Sequence, residues 1–387
     1  MTQLDPYDWP GRLAELEERG LRRVLRIVES PQGAHVTVSG RRLVCFCSNN
    51  YLGLANDPRI REAAIEATRQ WGWGAGASRL IAGTMTPHRQ LEEKLAAFKH
   101  TAAALVCSTG YQANLAAVRA LAGKGDVVFL DKLNHASIID AARGSGAVVR
   151  VFPHRDYGRL QRLLERTASA RRRVIVTDSL FSMDGDLADL PRLVELKKRH
   201  EALLVIDEAH ATGVVGPGGR GVAELQEVEG GIDLTVGTLS KALGGIGGFL
   251  AGAREVIDWV INTAGAFIYT TALPPPACAA AITALDIVER EPHRREHVLA
   301  LAQRLRTALA ERGFDPAGSQ SQIVPIVVGS AERALAVAAR LEADGLLAPA
   351  IRPPTVPTGR SRIRLSLCAD HTDEDVDRLI ASLDHLQ

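Results

Sequence analysis

The chain has 387 residues, enough for two or three domains or for one large α/β domain with appendages. Charge is nearly balanced, 46 Lys and Arg against 45 Asp and Glu, and aromatics are only 4% of residues, so neither a nucleic-acid partner nor an anionic membrane partner is expected. The five cysteines (Cys45, Cys47, Cys107, Cys278 and Cys368) lie mostly in apolar runs with no further ligands at metal spacing, which predicts reduced core thiols and no metal site.

The N-terminus has no basic-then-apolar pattern, and no apolar run approaches about 18 residues. Neither a secretory signal nor a membrane span is expected, and the chain reads as cytoplasmic. Leu13, Leu16, Leu21 and Leu25 predict a helix over residues 11–29, with Arg22 and Arg23 inside it. HVTVSGRRLVCFCS follows as a hairpin turning at Ser39-Gly40. A helix over 59–70 leads to WGWGAGASRLIAGT. Its glycines follow a helix rather than a strand and lack the dinucleotide-binding spacing, so a flexible loop near a ligand fits better. His88 starts a helix that runs to Lys99.

From Ala102 the pattern is repeated strand and helix: AALVCSTG, DVVFLD, AVVRVF, RRVIVTDSLF, ALLVIDEAH, DLTVGTLS and GGFLAG are short strands with mostly helical segments between them. A largely parallel sheet covered by helices on both faces is predicted. Such sheets carry their chemistry at strand ends. The turn Ser108-Thr109-Gly110-Tyr111 opens a helix and exposes backbone N–H groups that could seat a phosphate. His135 follows the second strand and reads equally as a helix-cap neighbour or a ligand. Phe181-Ser182-Met183-Asp184-Gly185-Asp186 follows the fourth, with too few oxygens for calcium.

Three groups converge further on. The run Leu203–Asp207 ends in an acid, His210 comes three residues later, and the next apolar run ends in Thr238, Ser240 and Lys241. A lysine beside small hydroxyl residues can condense with an aldehyde cofactor. A carboxylate on a neighbouring strand can keep a pyridine nitrogen protonated, as pyridoxal phosphate (PLP) requires. Singly each residue reads as surface or cap; together, each at a strand end, they read as a site. Pro274, Pro275 and Pro276 then break the pattern. Long helices over 277–291 and 294–312 precede IVPIVVG, a helix, an irregular Pro-rich stretch at 352–357, a half-exposed antiparallel strand RIRLSL, and a closing helix over 373–386. The expected division is an N-terminal arm and hairpin (1–55), a large domain (56–290) and a small α+β domain (291–387).

NNYLGL at 49–54, STGYQAN at 108–114, NHAS at 134–137, FSMDGD at 181–186, DEAHATG at 207–213, GTLSKALGG at 237–245 and IRPPTVP at 351–357 occur in an order and spacing that resemble the α-oxoamine synthases, fold-type I PLP enzymes. The resemblance covers almost the whole chain. It implies that Lys241 condenses with PLP, that Asp207 pairs with the pyridine nitrogen, that His210 and Ser182 lie at the phenolic oxygen and that His135 stacks on the ring. Gly110, Tyr111, Thr238 and Ser240 would surround the phosphate, with Thr270 or Thr271 reaching in from the second subunit of a homodimer. Arg22 or Arg23, Asn49, His135 and Thr355 would contact substrate, and Arg352 would take the amino-acid carboxylate. The run AIRPPTVPTGRSRIRLSL is most similar to the members that condense L-alanine with a pimeloyl thioester, carried by coenzyme A or acyl carrier protein, in biotin biosynthesis. Members that use glycine or serine are the alternative.

Overall fold

Asp8 caps the first helix, Trp9–Glu18, which is shorter than the leucine spacing suggests. Gly20 stops it: its φ is +61°, and Leu21 N–H turns back to the carbonyl of Leu16 2.7 Å away, a left-handed helix ending that favours glycine. Residues 21–29 are not helical, and Val24, Leu25 and Ile27 are exposed. The computed structural model of the chain describes residues 7–384. The chain falls into two units. One contains the chain up to Ser48, Met183–Gly185 and everything from Leu301. The other contains Asn49–Ser182 and Asp186–Ala300.

In the first unit, β1 (His35–Val38) and β2 (Arg41–Cys45) form the expected hairpin, with Ser39 and Gly40 both at positive φ in the turn. All five cysteines are free; Cys47 is half-buried and the other four are buried.

In the second unit a seven-stranded sheet is built from β3 (Ala103–Cys107), β4 (Val127–Asp131), β5 (Val148–Phe152), β6 (Arg173–Asp178), β7 (Leu203–Asp207), β8 (Leu234–Thr238) and β9 (Gly248–Gly252), in the order β3-β9-β8-β7-β6-β4-β5. The pairs β4–β5, β4–β6, β6–β7 and β7–β8 are parallel, as the repeated strand–helix pattern requires. β9 is antiparallel to both β8 and β3. The residues between β8 and β9 are too few for a crossover helix, so the chain can only turn back. Val176, Val205 and Val236 lie in one buried core with Ala113, Ala117 and Leu121 of the helix Gly110–Leu121.

The glycine-rich stretch before His88 is irregular over residues 72–77 and ends in an anchor. A short helical turn, Arg79–Gly83, holds the buried Arg79 against Glu92 at 2.8 Å. Arg79 also donates to the carbonyl of Val106 at 3.2 Å, and Glu92 accepts from Val106 N–H at 3.0 Å. β3 is an edge strand, and this ion pair covers its open hydrogen-bonding groups.

The first unit is completed by β10 (Ile323–Gly329), β11 (Leu346–Leu347), β12 (Ala350–Ile351) and β13 (Ser361–Ser366). β11 adds to β2, and β13 lies between β10 and β12 with antiparallel pairing on both sides. β13 was expected to be half exposed, but all its residues are buried. Its arginines are enclosed because they find partners there. Arg362 pairs with Asp184 at 2.6 Å and donates to the carbonyl of Met183 at 3.0 Å, while Arg364 donates to Ser366 Oγ at 2.9 Å. Buried charge is tolerated only with such pairing.

Candidate active site

Asp207 and Thr238 end neighbouring parallel strands, and Asp207 pairs in register with Val236. The acid and the segment that carries Lys241 therefore open at the same rim of the sheet. The turn after β8 is held tightly. Thr238 Oγ1 and Ser240 Oγ both donate to the carbonyl of Gly247, at 2.9 and 3.1 Å, and Gly244 N–H donates to the carbonyl of Lys241 at 2.9 Å. Gly244 has φ of +68°, and a Cβ there would lie 2.5 Å from the backbone of Leu54 and Ala55, so glycine alone fits. Lys241 is half-buried at this turn.

Asp207 is buried, and both its oxygens are held: Oδ1 accepts from Ala209 N–H at 2.8 Å and Oδ2 from Asn114 Nδ2 at 2.7 Å. The acid beside it, Glu208, is structural. It is fully buried and accepts from the N–H groups of Val222 and Ala223 at 3.0 and 3.1 Å, which shapes the loop after the strand. Burial raises its pKa, while Lys99 works the other way. His210 is buried, with Nδ1 2.7 Å from the hydroxyl of Tyr51; that hydroxyl also lies 3.0 Å from Oδ1 of Asn49.

His135 caps the helix Ala136–Arg143 and is exposed. Desolvation of its enclosed edge and the positive charge of Lys241 lower its pKa, against a raising effect from Asp207. Asp178, at the end of β6 and paired in register with Asp207, accepts from His135 N–H at 2.8 Å. Burial and the nearby Asp207 push its pKa well above the ordinary carboxylate range, with Lys241 opposing. Lys241, Asp207, His135 and Asp178 therefore share one electrostatic neighbourhood.

Gly110 and Tyr111 begin the helix Gly110–Leu121, which Thr109 caps at 3.1 Å to Gln112 N–H. A Cβ on Gly110 would come within 3.3 Å of the Thr238 side chain, so this turn packs against the end of β8. Thr270 and Thr271 lie on the same turn of their own chain: Gln112 Nε2 donates to Thr270 Oγ1 at 2.9 Å and Ser108 Oγ to the carbonyl of Thr271 at 2.9 Å. Ser182 is half-buried after β6.

These residues fit PLP. A buried carboxylate with both oxygens oriented suits a protonated ring nitrogen, an exposed imidazole suits stacking, and a helix N-terminus packed against the end of β8 suits a phosphate. Asn49 lies in this unit; Arg22, Arg23, Arg352 and Thr355 lie in the other. There Arg22 pairs with Glu17, Arg23 donates to the carbonyl of Pro353 at 3.3 Å and Arg352 donates to the carbonyl of Gly20. Asn114, Ser137, Tyr51 and Asp178 were not singled out from the sequence as supports of the site. Asn114, Ser137 and Tyr51 stand inside the motifs STGYQAN, NHAS and NNYLGL, which was the only signal available.

Near the same rim, His154 lies between two carboxylates, 3.0 Å from Asp131 and 2.8 Å from Asp186. Burial alone would lower its pKa, but the hydrogen bonds from the two acids raise it to about 9. A histidine raised on folding stabilises fully below its unfolded pKa, and the contribution is lost as pH rises through the folded value. The thermal midpoint of His154→Gln should therefore fall furthest below wild type near about pH 6 and approach it by about pH 10. Midpoints measured across that range test this, and a constant difference would remove the charge from the account.

The family model for aminotransferases of class I and II matches residues 41–383. The chain is 50% identical over 375 residues to the 8-amino-7-oxononanoate synthase of Geobacter sulfurreducens, covering 96% of each protein. It is 50% identical over 377 residues to that of Anaeromyxobacter dehalogenans strain 2CP-1, covering 97% of this chain and 94% of the relative. A serine palmitoyltransferase variant from S. paucimobilis, solved with bound PLP-myriocin aldimine, superposes with a TM-score of 0.93 at 32% identity, covering 97% of this chain and 96% of that one. The chain belongs to the class I and II aminotransferase family of fold-type I, PLP-dependent enzymes, within the group that contains the 8-amino-7-oxononanoate synthases.

Proposed function

We propose that the chain condenses L-alanine with a pimeloyl thioester, releasing CO2 and the carrier thiol and forming 8-amino-7-oxononanoate for biotin synthesis. The observation that carries this is the pairing of Asp207 with the Lys241 turn on adjacent strands, together with 50% identity to relatives of that name. A synthase using glycine or serine is the second reading. It is favoured only by the fold match to serine palmitoyltransferase, at lower identity.

When bound, PLP supplies an electron sink that stabilises negative charge at the amino acid's α-carbon and permits loss of CO2. Asp207, held by Asn114 and Ala209, keeps the ring nitrogen's proton in place. Lys241 Nζ takes the proton from the α-carbon of alanine and returns one after decarboxylation. The N–H groups that open the helix Gly110–Leu121 hold the phosphate, joined by Thr238 and Ser240 once their hydroxyl protons turn from the Gly247 carbonyl. Ser182 and His210 serve the phenolic oxygen, and Thr270 or Thr271 the phosphate of the second subunit. Asn49, Thr355 and Arg352 contribute to substrate binding. Between the adjacent arginines, Arg23 is preferred because Arg22 is tied to Glu17 while Arg23 lies on the loop that carries Arg352. Burial, then the positive charge of Arg23, lowers the pKa of Arg352, and an anion placed there would relieve both.

The enzyme acts as a homodimer in the cytoplasm. Support for the dimer comes from Trp73, Ile81 and Tyr269, large apolar side chains left exposed around the bridge between Ser78 and Thr271. No described helix is long and apolar enough to cross a membrane. The test is thiol release from a panel of acyl-CoA and acyl carrier protein thioesters with alanine, glycine or serine. Alanine with a pimeloyl thioester should be fastest and should give CO2 in equal amount. Preference for glycine or serine, or transamination of a 2-oxo acid without any thioester, would overturn the reading.

A further inference from the structure

We infer that Ser137 and Asn114 fix the protonation of His135, holding its ring neutral with the proton on Nε2. His135 caps the helix Ala136–Arg143 through Nδ1, which accepts from the backbone N–H of Ser137 at 3.3 Å. A backbone N–H can only donate, so Nδ1 carries a lone pair. Ser137 Oγ lies 2.7 Å from the same Nδ1 and must therefore donate its single proton to it. Having done so, that oxygen can only accept from its other neighbour, Asn114, 2.9 Å away. Asn114 Nδ2 thus faces Ser137, and its second proton goes to Asp207 Oδ2 at 2.7 Å.

One arrangement of protons satisfies every contact of this relay, while the Asn114 oxygen, on the far side of the amide, makes no hydrogen bond among the described residues. The opposite amide orientation would turn the Asn114 oxygen towards the Asp207 carboxylate, acceptor against acceptor. Ser137 is fully buried and Asn114 nearly so, which shields the relay from solvent. Protonating Nδ1 would break the bond from Ser137 N–H and reverse the one from Ser137 Oγ, leaving that hydroxyl's proton without its acceptor, so the imidazolium is disfavoured beyond the effect of burial. The consequence is chemical. His135 can donate from Nε2 to an acceptor oxygen of a ligand but cannot take up a proton at Nδ1. Ser137 and Asn114 are positioning residues, 23 positions apart in the chain and acting through His135 and Asp207.

This inference rests on the proposed function only for the use made of His135; the proton arrangement itself can be read directly. The experiment is nitrogen NMR on the full-length protein labelled with 15N-histidine, as purified and saturated with PLP, with the His135 signals assigned by their loss in His135→Gln. Wild type should show a neutral ring protonated at Nε2. Ser137→Ala should shift the ring to a mixture of tautomers and raise its titration midpoint, and Ser137→Thr, which keeps the hydroxyl, should restore the wild-type pattern. In turnover, Ser137→Ala should lower kcat about tenfold, the loss expected for one well-placed hydrogen bond, with the threonine variant recovering it. A wild-type ring protonated at Nδ1 or doubly protonated at neutral pH would overturn the inference. So would an alanine variant whose ring is unchanged. If the alanine variant does not fold, the wild-type spectrum alone decides. Failure of the functional reading would appear elsewhere, as a protein that binds no PLP while the histidine spectrum stays as inferred.

Discussion

Replacing Lys241 with alanine should abolish both turnover and the visible absorbance that arises when its amine condenses with PLP. On the proposed function the side chain is the amine with which the PLP aldehyde condenses and also the group that moves the α-proton, so two functions would be lost together. A positioned proton-transfer group contributes up to about 10⁴-fold, and the loss should be at least that large. The fold should survive. The turn around residue 241 is held by Thr238, Ser240 and Gly247 and by the backbone bond from Gly244 N–H to the carbonyl of residue 241, none of which needs the lysine side chain. An unchanged thermal midpoint of the cofactor-free protein, with no visible band and no thiol release, is the expected set of results. Retention of either the band or turnover would count against the role.

Asp207→Asn should leave PLP bound and slow the reaction by about 10²–10³-fold, the range seen when one preorganised electrostatic group is removed. The substitution keeps the shape but removes the charge proposed to hold the ring nitrogen's proton. It also disturbs the pairing. Both oxygens of Asp207 accept, one from Ala209 N–H and one from Asn114 Nδ2, whereas the new amide has a single oxygen and must turn a donor towards one of these donors. The lost bond reaches Ser137 and His135 through Asn114, so the histidine spectrum should change in this variant as well. Exchange of the α-proton of alanine with solvent, followed in the absence of thioester, isolates the affected step. A rate of exchange equal to wild type would remove Asp207 from it.

Strand by strand, most of the large sheet was legible. The apolar runs ending at Cys107, Asp131, Asp178, Asp207 and Thr238 are the strands, because a strand covered on both faces needs no alternation. Where expectation and structure part, a partner distant in sequence is responsible. Alternation in RIRLSL correctly marked an antiparallel strand, but Arg362 and Arg364 are buried because Asp184, Met183 and Ser366 satisfy them. The end of the glycine-rich stretch is held because Arg79 meets Glu92 over the edge of β3. The first helix ends early because a single left-handed glycine outweighs the leucine spacing beyond it.

The amino-acid sequence by itself determined the kind of chemistry: which strands form, that each ends in a polar or glycine turn, and that a lysine, an acid and two imidazoles stand at those ends. These depend on local pattern and turn residues, which act over a few positions. Only the tertiary structure decided which ends are neighbours. Asn114 and Asp207 are 93 residues apart yet share a hydrogen bond, and β8 lies beside β7 while β4 lies beyond β6. Strand order follows from how every crossover packs on the sheet at once, and no local window holds that information.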